Sequence, residues 1–154
     1  MTALFTLATR SFGALALVLA LNACAQTGDP NMTEKELTGT HWWVEDILGG
    51  GVIDRSHTTV NFIEDGRVAG DTACNRYTGG YEQNGGQLTF GALAGTRRAC
   101  PESIMNQEQR FYQAIGQVRR FRIDERTGHL HLIDENGATV IRAARITEGQ
   151  EAED

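Results

Sequence analysis

Few side chains in this 154-residue chain stand at spacings that support chemistry. His129 and His131 lie two apart in a strand-like run and so share one face, the geometry of two metal ligands. Spacing sets no third ligand, and Leu130 and Leu132 claim the opposite, core-facing side, so the histidines read as a solvated face and no metal is expected. Gly49-Gly50-Gly51 lacks the spacing and the lysine of a phosphate-binding loop. Asp54, Ser56 and His57 are neighbours in a loop-like stretch and define no nucleophilic triad. Cys74 and Cys100 form no C-x-x-C, have no adjacent histidine, and supply only two widely separated members of any four-ligand metal site. Glu108 is the most informative polar side chain. Counted from Ile104 at about 100° per helical residue, it falls near 40°, with Phe111 near −20° and Ile115 near 20°. A carboxylate inside an apolar stripe must be paired or neutralised, and Arg97 and Arg98, just before the stripe, are the candidate partners. Asn75, at a strand end, reads as a turn residue bonding nearby backbone, with membership of a polar binding patch as the alternative. Glu108, Asn75 and Arg98 are thus expected to be structural buried polar residues, with no catalytic residue and no cofactor.

These residues need elements to position them. Pro101 opens the one helical pattern, expected over about 102–119, with Glu102 in its first turn and Arg119 and Arg120 at its end. The rest reads as short strands with turn punctuation: His41–Ile47, Thr58–Ile63, Arg67–Asp71, Arg76–Glu82, Gln87–Phe90, Gly95–Cys100, Phe121–Asp124, His129–Ile133 and Thr139–Arg145. Asp65-Gly66 and Asn84-Gly85 are hairpin signals. Tyr77 and Tyr81 share a face with Gly79. Trp42 and Trp43 are adjacent and so face opposite sides of their strand, one toward the core and one available as a partner surface. Many short strands and one helix predict a mainly β fold, a small antiparallel β-barrel with the helix packed on it. Such a barrel can also hold one small ligand.

The chain's ends carry a different message. Residues 1–23 hold one arginine and no acid, with a ten-residue apolar run from Phe12 to Leu21. That is half the roughly 20 residues a membrane-spanning helix requires and fits a secretory signal peptide. Leu21-Asn22-Ala23-Cys24 resembles the lipobox of bacterial lipoproteins, which implies cleavage before Cys24 and lipid on its sulfur. A plain signal peptide cut near Ala23 or Ala25 is the alternative. Removing residues 1–23 leaves 131 and takes the formal charge from −6 to −7, because one arginine and no acid is lost. Several acyl chains on Cys24 would exceed the single chain that anchors only marginally. Residues 24–36 read as a polar tether, 37–146 as the domain and 147–154 as an acidic, frayed tail. Ala25, where an aspartate often marks inner-membrane retention, resembles an outer-membrane address on the periplasmic face. With Cys24 lipidated, Cys74 and Cys100 remain as an even pair in an oxidising compartment, most simply a disulfide. The acidic balance argues against a nucleic-acid partner.

Within the domain, Leu37-Thr38-Gly39-Thr40-His41-Trp42-Trp43, Gly66-Arg67-Val68-Ala69-Gly70, Cys74-Asn75-Arg76-Tyr77, Thr96-Arg97-Arg98-Ala99-Cys100-Pro101 and Glu108-Gln109-Arg110-Phe111 resemble, in order and spacing, the META domain of HslJ-like bacterial envelope proteins. The resemblance implies a compact barrel of lipocalin-like topology, no known catalytic activity or cofactor, and association with stress or antibiotic tolerance. Ala73, where the family often has glycine, and Arg98, where methionine is common, depart from its pattern. The expected protein is a lipid-anchored, non-enzymatic envelope monomer that touches the membrane through Cys24 and contacts envelope proteins or peptidoglycan. A periplasmic small-ligand-binding barrel is the alternative.

Overall fold

The computed structural model describes residues 37–147. The expected signal peptide, Cys24, the tether and nearly all of the acidic tail lie outside the described residues. Nine strands and one helix follow in the order β1 (Thr40–Ile47), β2 (Thr59–Ile63), β3 (Arg67–Asp71), β4 (Arg76–Asn84), β5 (Gln87–Phe90), β6 (Ala94–Gly95), α1 (Glu102–Gln117), β7 (Arg120–Ile123), β8 (Leu130–Ile133) and β9 (Thr139–Arg145). All strand pairings are antiparallel and all strands belong to one sheet. Sequence neighbours pair around a ring that β9 closes onto β1, with β6 and α1 interposed between β5 and β7. The fold is therefore mainly β and barrel-like.

Alternation explains which side faces in. Val60 and Phe62 of β2, Tyr77 and Tyr81 of β4 and Leu130 and Leu132 of β8 are buried on the inward face of their strands. Two irregularities interrupt that rhythm. The β1–β9 register shifts between Val44 and Asp46, leaving Glu45 and Asp46 both half-buried, and the β8–β9 register shifts between Leu132 and Ile133, so Val140 and Ile141 are both buried. The β2–β3 hairpin turns at Asp65 and Gly66, both at left-handed φ of 59° and 65°. The ring's thinnest seam is β5–β7, where Gln87 is paired with Arg120 and backbone bonds run from Leu88 N to Arg119 O and from Phe121 N to Gly86 O.

The expected strand Gly95–Cys100 shortens to Ala94–Gly95. Its pairing partner β4 begins at Arg76, so from Arg97 onward no strand backbone lies opposite. The chain continues instead on side-chain anchors, described below. The helix ends at Gln117 rather than near 119, because Val118 turns to an extended conformation (ψ 131°) and Arg119 N–H donates to Ile133 O in the sheet. Arg119 and Arg120 thus lie past the last turn, though Arg119 still donates from Nη1 to the carbonyls of Gly116 (3.0 Å) and Val118 (2.7 Å). The buried helical stripe is Gln107, Phe111, Ala114 and Ile115, continuing into Val118. Ile104 is only half-buried. The stripe is therefore centred toward Gln107, and Glu108 falls on its edge.

Candidate functional site

The corner that follows β3 gathers the polar residues. Ala73 holds a left-handed φ of 74°, which lets Thr72 and Asn75 close a turn: Thr72 N–H donates to Asn75 O (2.8 Å) and Asn75 N–H donates to Thr72 Oγ1 (3.0 Å). A glycine at this position would have a physical reason, since a left-handed backbone opposes any Cβ. The turn presents two donors to α1. Thr72 Oγ1 lies 3.0 Å from Glu108 Oε1, and Asn75 Nδ2 donates to Glu108 Oε2 at 3.0 Å. Asn75, 5% exposed, also accepts at Oδ1 from Thr96 Oγ1 (2.8 Å) and from the Arg98 backbone N–H (2.7 Å). One amide therefore joins the turn, the helix and the segment after β6. The Cys74–Cys100 disulfide ties the same segment covalently to the turn.

This arrangement corrects two expectations. Glu108 is half-buried rather than buried, and neutral donors satisfy it instead of the guanidinium groups of Arg97 or Arg98. Arg98 is an exposed side chain, not a buried structural one, and its backbone N–H performs the anchoring. The physical reason is common to both: a carboxylate at the edge of the stripe keeps part of its hydration, so one hydroxyl and one amide donor suffice.

Beside the corner, Leu93–Ala99 forms one wall of an open groove of about 770 Å³, with Asn75, Met105, Glu108 and Tyr112 forming the floor and the other wall. A second concavity of about 540 Å³ continues it along α1, sharing Met105, Glu108 and Tyr112. Met105 is 46% exposed, and Arg97 and Arg98 are exposed with no carboxylate in ion-pair range among the described residues. The Tyr112 ring reaches over β6: a Cβ placed on Gly95 would come 2.6 Å from its hydroxyl. Burial, and then the charge of Glu108, raise the pKa of the Tyr112 hydroxyl above its ordinary value, so it stays protonated and able to donate. Tyr77, which packs against Tyr112, is likewise pushed up, chiefly by burial, and donates to Thr59 O at 2.9 Å.

Pattern reading passes over Gln107, which the structure places at the centre of a second network. It is 1% exposed, accepts from Ile53 N–H at Oε1 (2.7 Å), and donates from Nε2 to Ser56 Oγ (2.9 Å) and Thr58 Oγ1 (3.1 Å). Its one usable signal is its place on the stripe, about a helical turn before Phe111. Arg110, on the next turn of α1, donates from Nη2 to Gly51 O (3.5 Å) and so holds the same side of the helix to the loop after β1.

The two tryptophans divide as their strand requires. Trp42 is fully buried, donates from Nε1 to Thr40 Oγ1 (2.6 Å) and carries the Arg145 guanidinium 5.3 Å from its ring centre. Trp43 is half-buried and packs on His57 at 4.6 Å between ring centres. His129 Nε2 lies 3.1 Å from Glu45 Oε2, which also accepts from Arg142 Nε at 3.3 Å. Burial, and then the charge of Arg122, lower the pKa of His131. Among the described residues no group of three or more His, Cys, Asp or Glu stands close enough to hold a metal ion.

A model of the META domain matches residues 35–146, most of the chain, and the chain belongs to that family. That membership supports a general reading as a non-catalytic, envelope-related domain. An NMR structure of a protein from Burkholderia xenovorans is 26% identical, covers 73% of this chain and 85% of its own, and superposes with a TM-score of 0.60. A second NMR structure is 22% identical, covers 72% of this chain and 93% of its own at a TM-score of 0.53, and shows the shared fold alone. No curated protein matches the sequence.

Proposed function

We propose that this META-domain chain is a lipid-anchored envelope protein, held through Cys24 on the periplasmic face of the outer membrane. It works without catalysis, by contacting envelope proteins or the cell wall, and so supports envelope integrity or tolerance of stress and antibiotics. The observation that carries the reading is where space is and is not left. Trp42, Phe62, Leu88, Phe111 and Leu132 are fully buried in one packed core, whereas the groove beside α1 lies open at the surface with Arg97, Arg98 and Met105 exposed. A filled interior and an open exterior groove suit contact with a large partner. The second reading, a small-ligand-binding barrel, draws on the groove's volume of about 770 Å³, which is within the usual range for ligand pockets. Its openness counts against it, because small ligands are bound by enclosure.

Two measurements test the proposal. Metabolic labelling with a tagged fatty acid is expected to mark the wild-type chain and leave Cys24→Ala unlabelled and released from the membrane fraction. Crosslinking in the native envelope is expected to capture a protein or peptidoglycan. Recovery of small molecules alone would overturn the contact reading in favour of the ligand-binding one.

A further inference from the structure

We propose that the groove between β6 and α1 binds an extended peptide segment of a partner protein that carries acidic side chains, by adding it to the edge of β6 that is unpaired among the described residues. The inference deepens the contact reading above and rests on it. Backbone direction supplies the first argument. Thr96 N–H donates to Arg76 O at 3.0 Å and Arg98 N–H to Asn75 Oδ1 at 2.7 Å, so both point back toward the fold. Alternation in β6 turns the N–H of Gly95 the other way, and the N–H of Arg97, between the inward-bonded Thr96 and Arg98, has no acceptor among the described residues. A row of outward backbone groups is a template for another strand.

Rigidity is the second argument. An edge that must collect a peptide has to hold its shape when empty. The segment from Ala94 to Cys100 is exposed along nearly its whole length, yet it is held by β4, by both Asn75 acceptor bonds and by the disulfide. Charge is the third. Arg97 and Arg98 line the groove without acidic partners among the described residues. The one carboxylate on its floor, Glu108, already has a donor on each oxygen. With two arginines against that one carboxylate, which its neutral donors leave charged, the groove lining carries a net positive charge in a chain whose net charge is −6, which selects an acidic partner segment over a basic one. Met105, 46% exposed on the opposite wall, offers an adaptable apolar contact for the alternate side chains of such a strand.

The test uses the full mature chain, acid-rich and neutral decapeptides, and soluble muropeptides as separate probes. Amide exchange at Gly95 and Arg97, followed by NMR, is expected to slow on addition of acid-rich decapeptides, and their binding is expected to weaken as salt rises. The double variant Arg97→Glu, Arg98→Glu is expected to bind them about tenfold more weakly. Arg126→Glu, an exposed arginine in the β7–β8 turn, is expected to change binding less than about twofold. Equal losses in the two variants would overturn the inference, as would acid-rich peptides that leave the Gly95 and Arg97 amides unprotected, or protection by muropeptides alone. If envelope crosslinking captures proteins through other faces while the decapeptides fail, the groove assignment falls and the contact reading stands. If crosslinking captures neither protein nor cell wall, the contact reading itself falls.

Discussion

Gln107 and Glu108 are consecutive on α1, and they fasten the helix to two different parts of the ring by opposite means. Gln107 is a neutral amide with almost no exposure, its three hydrogen bonds all made to the stretch from Ile53 to Thr58. Glu108 is a half-buried carboxylate satisfied by the Thr72–Asn75 turn, in a region that also has a covalent crosslink. The neutral group takes the dry position and the charged group the wet one, as desolvation requires. The comparison also separates roles: the Gln107 side is sealed, whereas the Glu108 side opens onto a groove.

The largest expected effect comes from removing what only one side has. Cys74→Ser with Cys100→Ser is expected to lower stability by about 3.5 kcal/mol in the chain-entropy model, read by urea unfolding of oxidised wild type against the variant. Gln107→Ala is expected to cost about 2–3 kcal/mol, because it strands the half-buried Ile53 N–H and takes partners from two buried hydroxyls. Glu108→Ala is expected to cost less, about 1–2 kcal/mol, since water can replace the lost acceptor. The exchange of chemistries sharpens the contrast. Glu108→Gln is expected to cost under about 1 kcal/mol, with the new amide donating to Thr72 Oγ1 while its oxygen still accepts from Asn75. Gln107→Glu is expected to cost more than Glu108→Gln, and its cost is expected to grow as pH rises above the ordinary glutamate value of about 4.3, because burial favours the protonated acid. Equal costs for the two swaps would remove the distinction between a dry and a wet site.

Two smaller effects probe the turn and the outer sheet. Ala73→Gly is expected to raise stability by about 0.5–1 kcal/mol by relieving the left-handed backbone, measured as a higher melting temperature. His131 has a lowered pKa in the folded state. Its contribution is therefore expected to be constant well above the unfolded value of about 6.5, to turn against folding as pH falls below it, and to level off once the folded imidazole also protonates. His131→Asn is expected to flatten that part of the stability profile.

Local patterns were sufficient for much of the frame. Arg67–Asp71, Gln87–Phe90 and Thr139–Arg145 have the same bounds in sequence reading and structure. A strong turn signal precedes each of the first two. The site was less legible because its bonds are long-range: Asn75 to Arg98 spans 23 residues and Gln107 to Ser56 spans 51. Opposite charge points from Glu108 to Arg97 and Arg98, but the corner between β3 and β4 sets Thr72 and Asn75 against it instead. Gln107 was hidden for a simpler reason. A polar residue on an apolar stripe announces neither its burial nor the partners that make burial tolerable.

The position of β1 has a mechanical consequence. β1 pairs along both edges, with β2 and with β9, and it begins three residues after the first described residue. Any pull arriving from the N-terminal side enters the sheet at a strand clasped from both sides, away from the single-pair seam between β5 and β7. Force is thus shared over two ladders before it can reach the ring's thinnest join. A domain hung by its N-terminal end would be loaded on a strand that two ladders hold.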